Sequence, residues 1–150
     1  MRKRTLAREY VLKILYQLEM SQGSVDDALS QFWVWNQVHK EVREFAEQIV
    51  RGTFHHLSEI DQKITQYAEN WELCRMAVLD RSILRFAVYE LLFMDEVPPK
   101  VTINEAVNVA KKYSQEDAGK FVNGILDKIC HSECGTKVQA SKIEPKKTSP

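Results

Sequence analysis

From Arg75 to Met94 the apolar residues Met76, Val78, Leu79, Ile83, Leu84, Phe86, Val88, Leu91, Leu92 and Phe93 fall on nearly every side of a helical wheel. A helix that is apolar on most sides has no stable place at a surface, so the chain must wrap other helices around it. Pro98-Pro99 closes the segment, because proline has no amide to donate and clashes with the preceding turn.

Amphipathic helices are available on both sides of this central one. Leu6, Tyr10, Ile14 and Leu18 recur every four residues, which predicts a helix over about residues 4–20, broken by Gly23. Ser24 is placed to cap the next helix, with Asp26 and Asp27 at the positive end of its dipole, and that helix carries Leu29, Phe32, Trp33 and Trp35. After a link at 36–40, a third helix presents Val42, Phe45, Ile49 and Val50. Ser58, with Asp61, reads as the cap of a fourth, whose inner side is Ile60, Ile64, Tyr67 and Trp71. Beyond the prolines, Thr102-Ile103-Asn104-Glu105 reads as a capping box opening a sixth helix with Ile103, Val107, Ala110 and Tyr113. Asp117 is placed to cap a seventh with Val122, Ile125, Leu126 and Ile129 inward. No segment alternates apolar and polar residues long enough for a strand. The expectation is an all-α chain of about seven helices in two packed lobes, about 4–72 and about 75–134, with residues 71–75 as the link.

The 150 residues suit one domain, and 44% apolar content fills a core. No apolar run is long enough to span a membrane or to act as a secretory signal. Three cysteines, Cys74, Cys130 and Cys134, in no framework spacing point to a reducing compartment such as the cytoplasm. Cys130-His131-x-x-Cys134 lacks a fourth ligand in view, so no metal or other cofactor is expected.

The formal net charge of zero hides an asymmetry. Residues 1–19 set Arg2, Lys3, Arg4, Arg8 and Lys13 against Glu9 and Glu19, a surplus of three cations. Residues 136–150, rich in Lys, Ser, Thr and Pro, carry the same surplus and read as a disordered basic tail. The body between them is acidic. Basic ends on an acidic body suit RNA contact, and equally suit frayed, solvated termini. His55-His56 and His39 have no carboxylate or ligand company, no phosphate-cradling glycine loop occurs, and no Cys/His or Ser/His set has a third member, so nothing points to an enzyme.

Residues 79–129, with Val97-Pro98-Pro99-Lys100 between two helical stretches and Lys120-Phe121-Val122-Asn123-Gly124 near the end, resemble the NusB family of bacterial transcription antitermination factors. Ala7-Arg8-Glu9 is similar to the close of that family's arginine-rich opening, although Thr5 and Leu6 stand where relatives often carry further basic residues. The resemblance covers most of residues 4–130 and is loose in 24–75. It implies an RNA-binding helical fold that binds the boxA site of nascent ribosomal RNA. The partner it implies is the NusE ribosomal protein, in the antitermination complex of RNA polymerase.

The resemblance assigns RNA contact to Arg2, Lys3, Arg4, Arg8, Asp117, Lys120 and Phe121, and partner contact to Tyr16 and Asp80. Each has a plainer explanation. Asp117 is a natural helix cap, Phe121 borders a core stripe, and Asp80 is an ordinary exposed acid bonding to its neighbours. Arg85 and Tyr89, on the central helix, read as structural. The RNA assignment expects Arg4 and Arg8, one turn apart, to share an open face, and the basic arm to lie alongside the Lys120-Phe121 edge. Two alternatives stay open. One is a helical scaffold without specific RNA binding. The other is an RNA-binding module like the front domain of ribosomal RNA cytosine methyltransferases. Monomer and homodimer are equally compatible with the sequence.

Overall fold

The computed structural model describes residues 2–135, so the basic tail at 136–150 lies outside the described residues. Seven α-helices follow one another: α1 (Lys3–Ser21), α2 (Val25–Trp35), α3 (Lys40–His55), α4 (Leu57–Tyr67), α5 (Val78–Phe93), α6 (Pro99–Tyr113) and α7 (Ala118–Glu133). A short 3-10 turn, Leu73–Arg75, precedes α5. There is no strand among the described residues.

The apolar helix is central. α5 packs against α1, α3, α4, α6 and α7, and Ile83, Leu84, Phe86, Ala87 and Val88 are fully buried. Gly52 permits the close approach of α3 to α5: a Cβ there would lie 2.1 Å from the Tyr89 ring. α6 and α7 pack together on the other flank of α5, with Val122, Leu126 and Ile129 facing in.

Several helix ends differ from expectation. α1 stops because Gln22, not Gly23, takes the left-handed conformation (φ 57°), and its N–H closes on the Leu18 carbonyl at 2.9 Å. Ser24 does cap α2, accepting from the Asp27 N–H at 3.0 Å. Ser58 does not cap α4, which begins one residue before it, at Leu57. The capping box at Thr102 does not form, because α6 starts three residues earlier at Pro99, where an amide would have no helical partner anyway. Asp117 holds the N-cap position of α7 with no side-chain cap bond. α4 ends at Tyr67, so Trp71 is not on its inner face: it sits in the following link and is 54% exposed.

The polar residues freed from capping do something else. Thr102 donates to Glu90 Oε1 (3.1 Å), and Glu105 accepts from the Thr5 hydroxyl (2.6 Å) and from Arg8 (3.1 Å). Arg85 forks onto Asp61 (2.8 and 2.9 Å), tying α5 to α4 in the structural role expected for it. Tyr67 donates to Glu133 (2.7 Å), which also pairs with Lys63 (3.1 Å), tying α4 to α7. These two hydrogen bonds, from Tyr67 first and then Lys63, hold the Glu133 carboxyl below its usual range.

Candidate nucleic-acid interface

Arg2, the N-cap, and Lys3 and Arg4, the first residues of α1, are exposed. Lys3 pairs loosely with Glu41 of α3 (3.2 Å), and the Arg4 guanidinium lies 4.5 Å from the centre of the Phe45 ring. Both contacts lie at the surface, where they constrain a long cationic side chain little. The arm therefore rests on the start of α3 with its charge available to solvent.

Arg8 is placed differently, and the expectation of an open Arg4/Arg8 face is corrected. Its side chain is 1% exposed. Nε and Nη2 fork onto the two Glu90 oxygens (2.9 and 2.7 Å), while Nη1 reaches Glu105 (3.1 Å). Burial opposes the Arg8 charge, but the hydrogen bonds and fields of Glu90 and Glu105 outweigh it and hold its pKa above the ordinary value. All three guanidinium nitrogens are spoken for, so in this arrangement none is offered to a phosphate. The reason is positional: Arg8 lies among the fully buried Ala7 and Val11 on the face that meets α5.

α6 packs against both α1, which carries the arm, and α7. Its residue Glu105 meets Thr5 and Arg8, its Lys112 meets Glu9 (3.0 Å), and its last residue, Tyr113, donates to Glu9. The hydrogen bond to Glu9 raises the Lys112 pKa, and burial followed by that same carboxylate raises the Tyr113 pKa. Lys13 reaches over the Tyr113 ring at 5.8 Å. The aliphatic part of Lys111 lies on Gly119, next to Lys120. From Glu105 to Ser114 the path along α6 is about 14 Å at 1.5 Å per residue. Exposed cations thus follow one another from the arm through Lys13, Lys111 and Lys112, the last already paired with Glu9, to Lys120. The middle three were not singled out by sequence reasoning, because only packing shows that α1, α6 and α7 present them in succession.

At the far end of this series Lys120 is exposed and Phe121 is half-buried. Phe121 meets Trp71 edge-on, ring centres 5.4 Å apart. Asp117, exposed, and Asp80 line the same cleft. Asp80 is partly exposed and accepts from the Ser114 hydroxyl (2.7 Å), rather than from Arg81. Arg81 and Arg85 instead bond Glu19 of α1. Tyr16, three residues before Glu19, is 42% exposed, with Met20 on the same face at 54%.

Comparison with known proteins decides the family. The sequence model described as the NusB family matches residues 5–131. The chain belongs to the NusB family. A transcription antitermination protein NusB from Anaeromyxobacter sp. (strain Fw109-5) is 52% identical over 128 residues, covering 85% of this chain and 89% of the relative. Among solved structures, NusB of T. maritima superposes with a TM-score of 0.84 at 38% identity, covering 93% of this chain and 97% of that one. A structure of the antitermination factors NusB and NusE in complex with dsRNA gives a TM-score of 0.78 at 28% identity, covering 93% and 98%. The seven-helix NusB fold expected from residues 79–129 is therefore the observed one. The matched segment begins at Thr5, so Arg2, Lys3 and Arg4 stand ahead of it, and Trp71 stands within it. Cys130, His131 and Cys134 form no metal-holding group among the described residues, and no described helix is long and apolar enough to cross a membrane.

Proposed function

We propose that this chain is a transcription antitermination factor acting by binding alone. It holds the single-stranded boxA element of nascent ribosomal RNA together with the NusE ribosomal protein, in the cytoplasm, and helps RNA polymerase read through terminators. The observation that carries this reading is the succession of exposed cations from Arg2, Lys3 and Arg4 past Lys111 to Lys120, ending at the half-buried Phe121. The family adds support for RNA and NusE as partners, since a related NusB is found in complex with NusE and dsRNA.

The chemistry divides into two parts. Phosphates are drawn to the cations by a salt-dependent, sequence-independent attraction, and release of counterions from the strand sets its size. Bases are met at the α7 end, where Phe121 offers an aromatic surface and Asp117 an acceptor for base amino groups. Tyr16, with the exposed Met20 on its face, and Asp80 contact the ribosomal protein. Arg8 plays no direct part in contact: it fixes the first turns of α1 to α5 and α6, and so sets where the arm starts.

A titration of a boxA RNA and a scrambled RNA of equal length, with and without the ribosomal partner, tests the proposal. Tighter binding of boxA that weakens as salt rises supports it. Equal binding of both RNAs even with the partner present rejects it in favour of a scaffold that recruits proteins alone.

A further inference from the structure

Trp71, spaced to continue the inner face of α4, lies instead in the link beyond its end. The link after α4 turns through Asn70, which adopts the left-handed conformation at φ 67°. The Trp71 N–H then bonds back to the Ala68 carbonyl at 3.1 Å. That turn carries the indole away from the α4 core face and sets it against Phe121 of α7. A half-exposed tryptophan held by a tight turn is unusual for a purely structural residue, because most of the benefit of burying so large an apolar surface is forgone.

The two rings make a corner, not a stack. Their planes are 70° apart, and they wall a cleft of about 410 Å³ whose rim carries Arg75, Asp80, Gln115 and Asp117. A flat group lying on the indole would turn its edge to Phe121. Its polar edge would meet the Gln115 amide and the Asp117 carboxylate, which together offer both a donor and acceptors. Arg75 lines the cleft, and a second cation stands next in sequence to one of its walls. Lys120 adjoins Phe121 in sequence, and Arg75 is 78% exposed, with only a 3.5 Å surface contact to Glu72 that an incoming phosphate can replace. Flat apolar walls, a mixed polar rim and a lining cation are the chemistry of an unpaired nucleobase with its phosphates. A cationic peptide in this cleft would face Arg75 as a like charge.

We infer that Trp71 and Phe121 form a seat for one unpaired RNA base, with Trp71 as the stacking surface. This rests on the RNA-binding reading above and adds to it a residue and a strand requirement. A paired base keeps both faces covered by its neighbours and cannot lie on the indole, so the seat selects single strands.

The test uses the full chain carrying Trp35→Phe, which removes the other exposed indole and leaves Trp71 beside the buried Trp33. Titrated with single-stranded boxA RNA, the emission of Trp71 should fall along the binding curve, and the same RNA annealed to its complement should leave it unchanged. In the otherwise wild-type chain, Trp71→Ala should weaken RNA binding about tenfold, and Trp71→Phe, which keeps a ring face, should recover most of it. RNA saturation without a change in Trp71 emission overturns the seat, as does equal quenching by the duplex or undiminished affinity in Trp71→Ala. Quenching by the ribosomal partner in place of RNA also overturns it and gives the cleft to protein. Should Trp71→Ala fail to fold, the emission titration decides alone. Absence of any RNA binding by the unaltered chain would instead strike the function proposed above, so the two failures are distinct.

Discussion

Arg8 at the junction of α1, α5 and α6 and Lys120 at the start of α7 are both cations on helices next to core residues, yet their surroundings set them to opposite uses. Arg8 is sealed in, and its donors are divided between Glu90, which is 0% exposed, and Glu105. Lys120 is open to solvent, next in sequence to the Phe121 wall of an aromatic corner. The difference teaches that a cation's sequence neighbourhood does not tell whether its charge is available. What tells is whether carboxylates from other helices reach it first.

The comparison breaks most visibly at Arg8. Arg8→Met should cost about 3–5 kcal/mol in urea unfolding, because the buried Glu90 carboxylate loses its guanidinium and keeps the weaker Thr102 hydroxyl. An unchanged midpoint would mean that the cluster is not buried as described. Asp61→Ala should cost less, about 1–3 kcal/mol, since Arg85 is partly exposed and keeps Glu19 as a second partner at 3.6 Å. A loss as large as that of Arg8→Met would put the two sites in one class.

Lys120→Ala should do the reverse of both. Its stability should stay within about 0.5 kcal/mol of the unaltered chain. Its RNA affinity should fall for boxA and scrambled sequences alike, with the slope of log K against log salt smaller by about 0.7. A melting shift without an RNA effect would make Lys120 structural.

The smallest expected effect concerns Glu133. Its folded pKa lies below its unfolded value, so the unfolded chain binds more protons through that window. The stabilising contribution is present above the ordinary carboxylate range and is lost as pH falls through the folded pKa. Glu133→Gln should therefore show a small deficit at neutral pH that closes in acid, below about pH 4. A deficit independent of pH would assign the contact to packing.

Much of the fold was legible because it rests on periodicity. The near-encircling apolar pattern of 75–94 required a central helix, and α5 is that helix. The inward faces of α3 and α7 followed from spacing in the same way. Helix ends were less legible. Thr102 and Glu105 have the residue types of a capping box, but a buried arginine 97 residues upstream of Glu105 claims it, and local pattern carries no information at that range. The spacing of Trp71 from Ile64 continues the helical period and points the indole inward. The left-handed turn at Asn70 breaks that period, and an asparagine in a polar link was the one available hint. In the candidate site the end residues Arg2, Lys3, Arg4, Lys120 and Phe121 were visible from charge and family resemblance. The cations between them and the indole beside Phe121 were not, because packing of α1, α6 and α7 creates those neighbours.

The salt dependence of boxA RNA affinity, measured for the unaltered chain and for the Arg2→Ala, Lys3→Ala, Arg4→Ala triple variant, tests most directly whether the exposed cations carry the RNA from the arm to α7. The slope of log K against log salt should shrink by about 2 in the variant, reflecting three fewer phosphate contacts on a single strand, while its unfolding midpoint stays put. An identical slope in the two proteins would show that the arm never meets the strand.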